Sequence, residues 1–178
     1  MKKVKWWYAA ILGAAMVCLV PSCNAVPNQV TIGEDEYELD KAFFEGQGEN
    51  QDTEETSYLV DVYLVSDGVD LMAGSGSGAV VFVRLNSPEE TLTEGAYTFE
   101  MDGAITISRD PGTIADGYFV AGNLDDPSFR DYILDGTVDV SRSGDTYTFE
   151  INVETTDRTS VVGSFNGDPG SVDDLRNQ

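Results

Sequence analysis

The sequence predicts an all-β protein, an antiparallel β-sandwich or flattened β-barrel of about ten short strands. Three observations predict it. Apolar and polar residues alternate with period two, most cleanly in Thr146–Glu154, where Tyr147, Phe149, Ile151 and Val153 interleave with Thr148, Glu150, Asn152 and Glu154. Clusters of Gly, Asp and Ser separate the alternating segments, as turn residues should. No segment sustains a helical period.

The chain opens on Lys2, Lys3 and Lys5, followed by the apolar run Trp6–Val20. A basic region and a short apolar run form the pattern of a secretory signal peptide. The run is about 15 residues, short of the roughly 20 that a membrane-spanning helix needs. It ends in Leu19-Val20-Pro21-Ser22-Cys23, which resembles the lipobox of bacterial lipoproteins: an aliphatic residue, two mostly small residues, then cysteine. Cys18 fits that pattern less well, because the bulky Val17 precedes it.

The lipobox resemblance implies that residues 1–22 are removed and that Cys23 is acylated, on its thiol and on the new amino terminus. Both cysteines then lie in or beside the removed segment, so no disulfide is expected in the mature fold. The partner implied is a membrane, held through the lipid anchor; several acyl chains, at about 0.8 kcal/mol per buried methylene, hold a protein firmly. The resemblance places the protein at the cell envelope. Asn24, where an aspartate would favour inner-membrane retention, points to the outer membrane. The first acid after Cys23 is Glu34, so the periplasmic and outward-facing sides are both compatible with the sequence.

Residues 23–29 read as a lipidated tether, 30–167 as a single all-β domain and 168–178 as a C-terminal tail. Strands are expected at Val30–Ile32, Glu36–Phe44, Tyr58–Ser66, Ala79–Leu85, Tyr118–Ala121 and Tyr132–Leu134. YLVDVYLV in the third of these is apolar at nearly every position, as in a strand buried on both faces. Ala96–Met101 and Ala104–Ser108 flank Asp102-Gly103, a two-residue hairpin signal because both positions tolerate positive φ. GTVDVSRSGD, Thr146–Glu154 and SVVGSFNG form a C-terminal three-stranded meander, with Ser143-Gly144-Asp145 as one turn. YTFE occurs twice, at Tyr97–Glu100 and Tyr147–Glu150, and reads as shared strand vocabulary. GAYTFE together with GTVDVSRSGDTYTFEINVETTDRTSVVGSFNG is similar to small all-β lipoproteins of anaerobic, gut-type Gram-negative bacteria. That resemblance implies fold and location, and no functional residues.

Composition excludes more than it proposes. The chain has no histidine, and both tryptophans, Trp6 and Trp7, precede Cys23. A Ser-His-Asp triad, a Cys-His dyad and an imidazole zinc site are therefore excluded. Carboxylate-only chemistry is compatible with the sequence, but no pair of acids stands out among so many. With 32 acids and seven bases after Cys23, the mature chain carries −25. A field of that sign repels nucleic acid and anionic headgroups.

Three kinds of feature are candidate sites. Met72–Val81, MAGSGSGAVV, is glycine-rich like a phosphate loop but lacks its lysine and a following helix, so it reads as an inter-strand loop. Asp125, Asp126, Asp131 and Asp135 offer oxygens for calcium, as do Asn166, Asp168, Asp173 and Asp174; neither set has the spacing of an EF-hand loop, and turn residues are the plainer reading. Aromatic residues offer a platform for sugars: Phe43 and Phe44, Tyr118 and Phe119, and the pair Phe129 and Tyr132. Most such residues in strands belong to a core, but Phe43 and Phe44 are adjacent, so one of them points outward.

These features lead to the expectation of a non-enzymatic, lipid-anchored module that binds a glycan, a peptide or a partner protein, with no cofactor other than possible calcium. Two alternatives are carried with it: a structural or assembly component of a surface fibre, built through strand edges, and a lipocalin-like carrier with a hollow interior.

Overall fold

The computed structural model describes residues 27–51, 55–102 and 106–172. The basic and apolar leader and Cys23 lie outside these residues, as do Asp173 and Asp174. Among the described residues fourteen strands follow one another: β1 (Gln29–Ile32), β2 (Asp35–Glu38), β3 (Lys41–Glu49), β4 (Tyr58–Val65), β5 (Val69–Asp70), β6 (Ser75–Ser87), β7 (Gly95–Thr98), β8 (Met101–Asp102), β9 (Thr106–Ile107), β10 (Thr113–Asn123), β11 (Asp126–Ser143), β12 (Thr146–Thr155), β13 (Ser160–Gly167) and β14 (Gly170–Ser171). Eleven of them form one sheet in the order β14-β3-β4-β6-β10-β7-β11-β12-β13-β1-β2, with β5 added on β6. The all-β expectation is met, and the sheet curls into a half-barrel.

The curl follows from the alternation. One side of nearly every strand is apolar, and those sides converge on a single core that includes Val30, Val62, Leu64, Val81, Leu85, Tyr97, Phe119, Phe149, Ile151 and Phe165. Two strands far apart in the sheet meet there: the Phe44 ring of β3 stands edge-on to Tyr147 of β12 at 5.0 Å and 87°, and to Phe149 at 5.7 Å. Edge-to-face contact places a positive ring edge on a negative ring face, the favoured arrangement.

The C-terminal meander is present as expected. β11 pairs with β12 in a register that sets Val138 against Ile151 and Val140 against Phe149, and β12 pairs with β13. Gly144 takes φ +65° in the tight turn between β11 and β12. Near the start of the β11–β12 pairing, Gly136 has φ +118°, and a Cβ there would sit 2.3 Å from the Asn152 carbonyl oxygen. Glycine alone allows the two strands to approach so closely after the register shift between Ile133 and Asp135.

Several elements differ from expectation. Glu36–Phe44 is two strands: β2 folds back on β1, and the chain then crosses to β3 at the other end of the sheet. The break falls at Leu39 and Asp40, whose amides donate to the carbonyls of Asn28 and Val65 while the Leu39 side chain plugs the core. Ala79–Leu85, Tyr118–Ala121 and Tyr132–Leu134 are the centres of strands of 13, 11 and 18 residues. Part of the glycine-rich loop belongs to the first of these, since Ser77 and Gly78 pair with Asn123 and Gly122.

Ala96–Met101 is interrupted after Thr98. Asp102 pairs with Thr106, so three residues separate the paired positions rather than two, and Gly103 lies outside the described residues. The expected tail contributes Gly170 and Ser171 as a parallel partner of Phe43 and Phe44. At the other end Asn28 is anchored: the Asn166 amide donates to Asn28 Oδ1 at 2.7 Å, and Asn28 Nδ2 donates to the Asn166 carbonyl at 3.1 Å.

Candidate ligand-binding face

The residues that alternate with the core set point to the convex side of the sheet. On β3, β4, β6, β10 and β11 they align by register into three rows. The first runs Lys41, Val65, Val80, Val120 and Arg130; the second runs Phe43, Tyr63, Phe82, Tyr118 and Tyr132. The third runs Glu45, Asp61, Arg84 and Asp116. The face thus carries an aliphatic row with a cation at each end, an aromatic row across five strands, and a charged row.

The aromatic row is continuous from Tyr63 to Tyr132. Ring centroids lie 5.0 Å apart for Tyr63 and Phe82, 4.8 Å for Phe82 and Tyr118, and 6.4 Å for Tyr118 and Tyr132. Phe82 is buried at the centre, whereas Tyr132 at the end is 56% exposed. Tyr63 and Tyr118 are partly buried between them. Burial, followed by the nearby Asp61 carboxylate, pushes the Tyr63 phenol up to about 12. Tyr118 is raised too, chiefly by burial, with Arg130 opposing. Both phenols stay protonated at neutral pH and can donate a hydrogen bond.

Asp61 would be costly on this face without a partner, since it is 2% exposed. Arg84, directly opposite on β6, supplies one: Nε and Nη2 donate to the two carboxylate oxygens at 2.6 and 2.7 Å. The guanidinium also lies 5.9 Å from the Phe82 ring centroid, which joins the charged row to the aromatic one.

A short flap covers the aliphatic row. Val69 and Leu71 from the β5 segment and Leu124 from the β10–β11 turn pack on Val65, Val80 and Val120. The flap lies flat because β5 meets β6 at Gly76, where φ is +105° and a Cβ would come within 2.2 Å of the Gly68 carbonyl oxygen. Leu71 lines each of two hollows beside the flap. One, of about 460 Å³, is lined by Lys41, Phe43, Val65, Val69, Leu71 and Met72 among others. The other, of about 110 Å³, is lined by Leu71, Val80, Tyr118, Val120, Leu124 and Arg130 together with Gly74.

Of the aromatic residues singled out from sequence, Phe43 and Tyr118 belong to this outer row. Phe44 and Phe119 belong to the core instead, Phe119 with no exposed surface, because alternation turns each to the concave side. The pair Phe129 and Tyr132 is split: Phe129 packs against the core, and Tyr132 ends the outer row. Sequence reasoning missed Tyr63, Phe82, Arg84 and Arg130. The signal for Tyr63 and Phe82 was present in YLVDVYLV and VVFVRL, where outward positions carry aliphatic and aromatic side chains as well, but only register shows that they align.

The first set of calcium candidates does not converge. Asp126 and Asp135 stand at different points of one strand, nine residues or about 30 Å apart. Asp131 is 6% exposed and is consumed structurally: it accepts from the Thr156 hydroxyl, the Asp157 amide at 2.7 Å and the Tyr132 amide at 2.8 Å. Burial alone would raise its pKa, but these donors outweigh it and hold the carboxyl at about 2. Asp135 accepts from the Gly136 amide, and the Asp125 amide donates to Asn123 within the β10–β11 turn. In the second set, Asn166 donates to Thr148. Among the described residues no three metal-ligating side chains form a cluster.

No family model matches the chain, and no curated protein or solved structure is significantly similar to it.

Proposed function

We propose that the protein is a lipid-anchored, non-enzymatic binding module of the bacterial cell envelope that holds a glycan against its convex aromatic face. The observation that carries the reading is the in-register row Phe43-Tyr63-Phe82-Tyr118-Tyr132, which ends in an exposed tyrosine. Rings present apolar surface to the C–H face of a sugar, while protonated phenols and the neighbouring charged row offer hydrogen bonds to its hydroxyls. The lipobox resemblance at Cys23 supplies the anchor, and the high negative charge suits a domain held in solvent above a membrane.

The alternatives have less support. A hollow carrier is disfavoured by the interior, where Phe44, Tyr147 and Phe149 stack across the centre. A fibre component would need open strand edges. One edge strand, β2, reads DEYE and is charged, and the other edge carries β14 over Phe43 and Phe44.

The test is a glycan-binding panel with the intact protein purified from its membrane, beside Tyr132→Ala and Phe43→Ala. Binding by the wild type that falls on the order of tenfold or more in the variants, with melting temperature retained for Tyr132→Ala, supports the reading. Folded protein that binds no glycan overturns it.

A further inference from the structure

Among the described residues Arg130 stands apart from the other cations. Lys41 is 2.6 Å from Asp67, Arg84 is bidentate on Asp61, Arg142 lies 3.8 Å from Asp145, and Arg158 pairs with Glu154. Arg109 is engaged as well. Arg130 is exposed and has no ion pair with any described residue, in a chain with 32 acids and ten bases. A chain so rich in carboxylates pairs its cations readily, so an arginine left open at the end of the binding face is conspicuous.

Its surroundings suit one kind of group. Arg130 and Tyr132 are two apart on β11 and share the convex side. Across the register stand Val120 and Tyr118, and Arg130 lines the hollow of about 110 Å³ together with Val80, Val120 and Leu124. The site therefore joins a planar five-donor fork, two tyrosine rings and a small hollow with an aliphatic lining. Asp131, the adjacent carboxylate in sequence, is committed to Thr156 and Asp157 and does not compete.

We infer that the glycan held on this face carries an acidic sugar, whose carboxylate is taken by Arg130 while its ring lies against the exposed Tyr132. The inference rests on the glycan reading above and names the ligand class within it. A fork of parallel N–H donors matches a carboxylate better than a hydroxyl, and a charge-assisted pair is roughly twice as strong as a neutral one. The ligand bears isolated carboxylates among neutral sugars. A densely charged polyanion is repelled by the whole chain, whereas a single carboxylate at contact range is not, because remote charges are screened beyond about 8 Å at physiological salt.

The experiment titrates the intact protein with an oligosaccharide bearing one uronic acid, with the same oligosaccharide after carboxyl reduction, and with an acidic peptide. Wild type, Arg130→Gln, Arg130→Lys and Tyr132→Ala are compared. The expected result is that wild type prefers the acidic oligosaccharide by on the order of 10- to 100-fold over its reduced form, and that Arg130→Gln abolishes that preference. Arg130→Lys recovers part of it, and Tyr132→Ala weakens both sugars. Equal affinity for acidic and reduced sugars, or an unchanged preference in Arg130→Gln, overturns the acidic-sugar inference and leaves the glycan reading standing. Preference for the peptide over the sugar also overturns it. Failure of every sugar to bind folded wild type overturns the glycan reading itself.

Discussion

The Phe82 ring lies 4.8 Å from that of Tyr118, on the next strand, with a tilt of 32° between them, and Tyr63 flanks Phe82 on its other side at 5.0 Å. Phe82 is 5% exposed although it points away from the main core. The convex side of this sheet thus has an apolar layer of its own, with Phe82 buried in the middle of the row and Tyr132 left to solvent at one end. Phe82→Ala should cost about 3 kcal/mol or more, as for a core phenylalanine, whereas Tyr132→Ala should change stability by less than about 0.5 kcal/mol. Urea unfolding of the two variants checks this contrast, and equal losses would refute it.

Asp61 and Arg84 should behave as a unit. Arg84→Ala leaves a buried carboxylate without its guanidinium and should cost about 3 kcal/mol, near the lower end for broken buried pairs because Arg84 is a third exposed. Replacing both residues, as Asp61→Leu with Arg84→Met, should cost less than Arg84→Ala alone. A double-mutant cycle read by urea unfolding gives the coupling; additive losses would show that the pair is incidental.

Acid should loosen the β12–β13 turn through Asp131. Its carboxyl titrates at about 2 in the folded chain, against 3.8 for the unperturbed group, so the folded state favours the ionised form. That contribution is complete above about pH 4 and is lost as pH falls through about 2. Asp131→Asn should cost about 1–3 kcal/mol at neutral pH, and its deficit relative to wild type should shrink as pH falls toward 2. Thermal melts of both proteins across that range test the sign; a deficit that grows in acid would contradict it.

Gly136 should not accept a side chain. Its φ of +118° and the Asn152 carbonyl 2.3 Å from a would-be Cβ make Gly136→Ala destabilising by about 2–4 kcal/mol, whereas Gly144→Ala at an open turn should cost about 1 kcal/mol. Melting temperatures of the two variants give the ranking.

The meander was legible because its outward positions are polar: Thr148, Glu150 and Asn152 leave the period-two signal uncontaminated by a second apolar face. The binding face was hard to read for the opposite reason. In β4 and β6 both sides are apolar, so Tyr63 and Phe82 look like core residues, and only their pairing with Phe43 and Tyr118 shows a row. The split between β2 and β3 was hidden because Leu39 satisfies the alternation while its backbone leaves the strand. Arg130 gave no sequence signal, since its lack of an ion pair among the described residues depends on where the folded chain puts their carboxylates.

The most direct test of the binding face is solution NMR of the intact protein with ring-labelled tyrosine, titrated with the glycan that binds best. The expected result is that Tyr132 and Tyr118 shift with ligand while Tyr97 and Tyr147, in the concave core, do not. Shifts confined to the core tyrosines, or none at saturating ligand, would contradict the account.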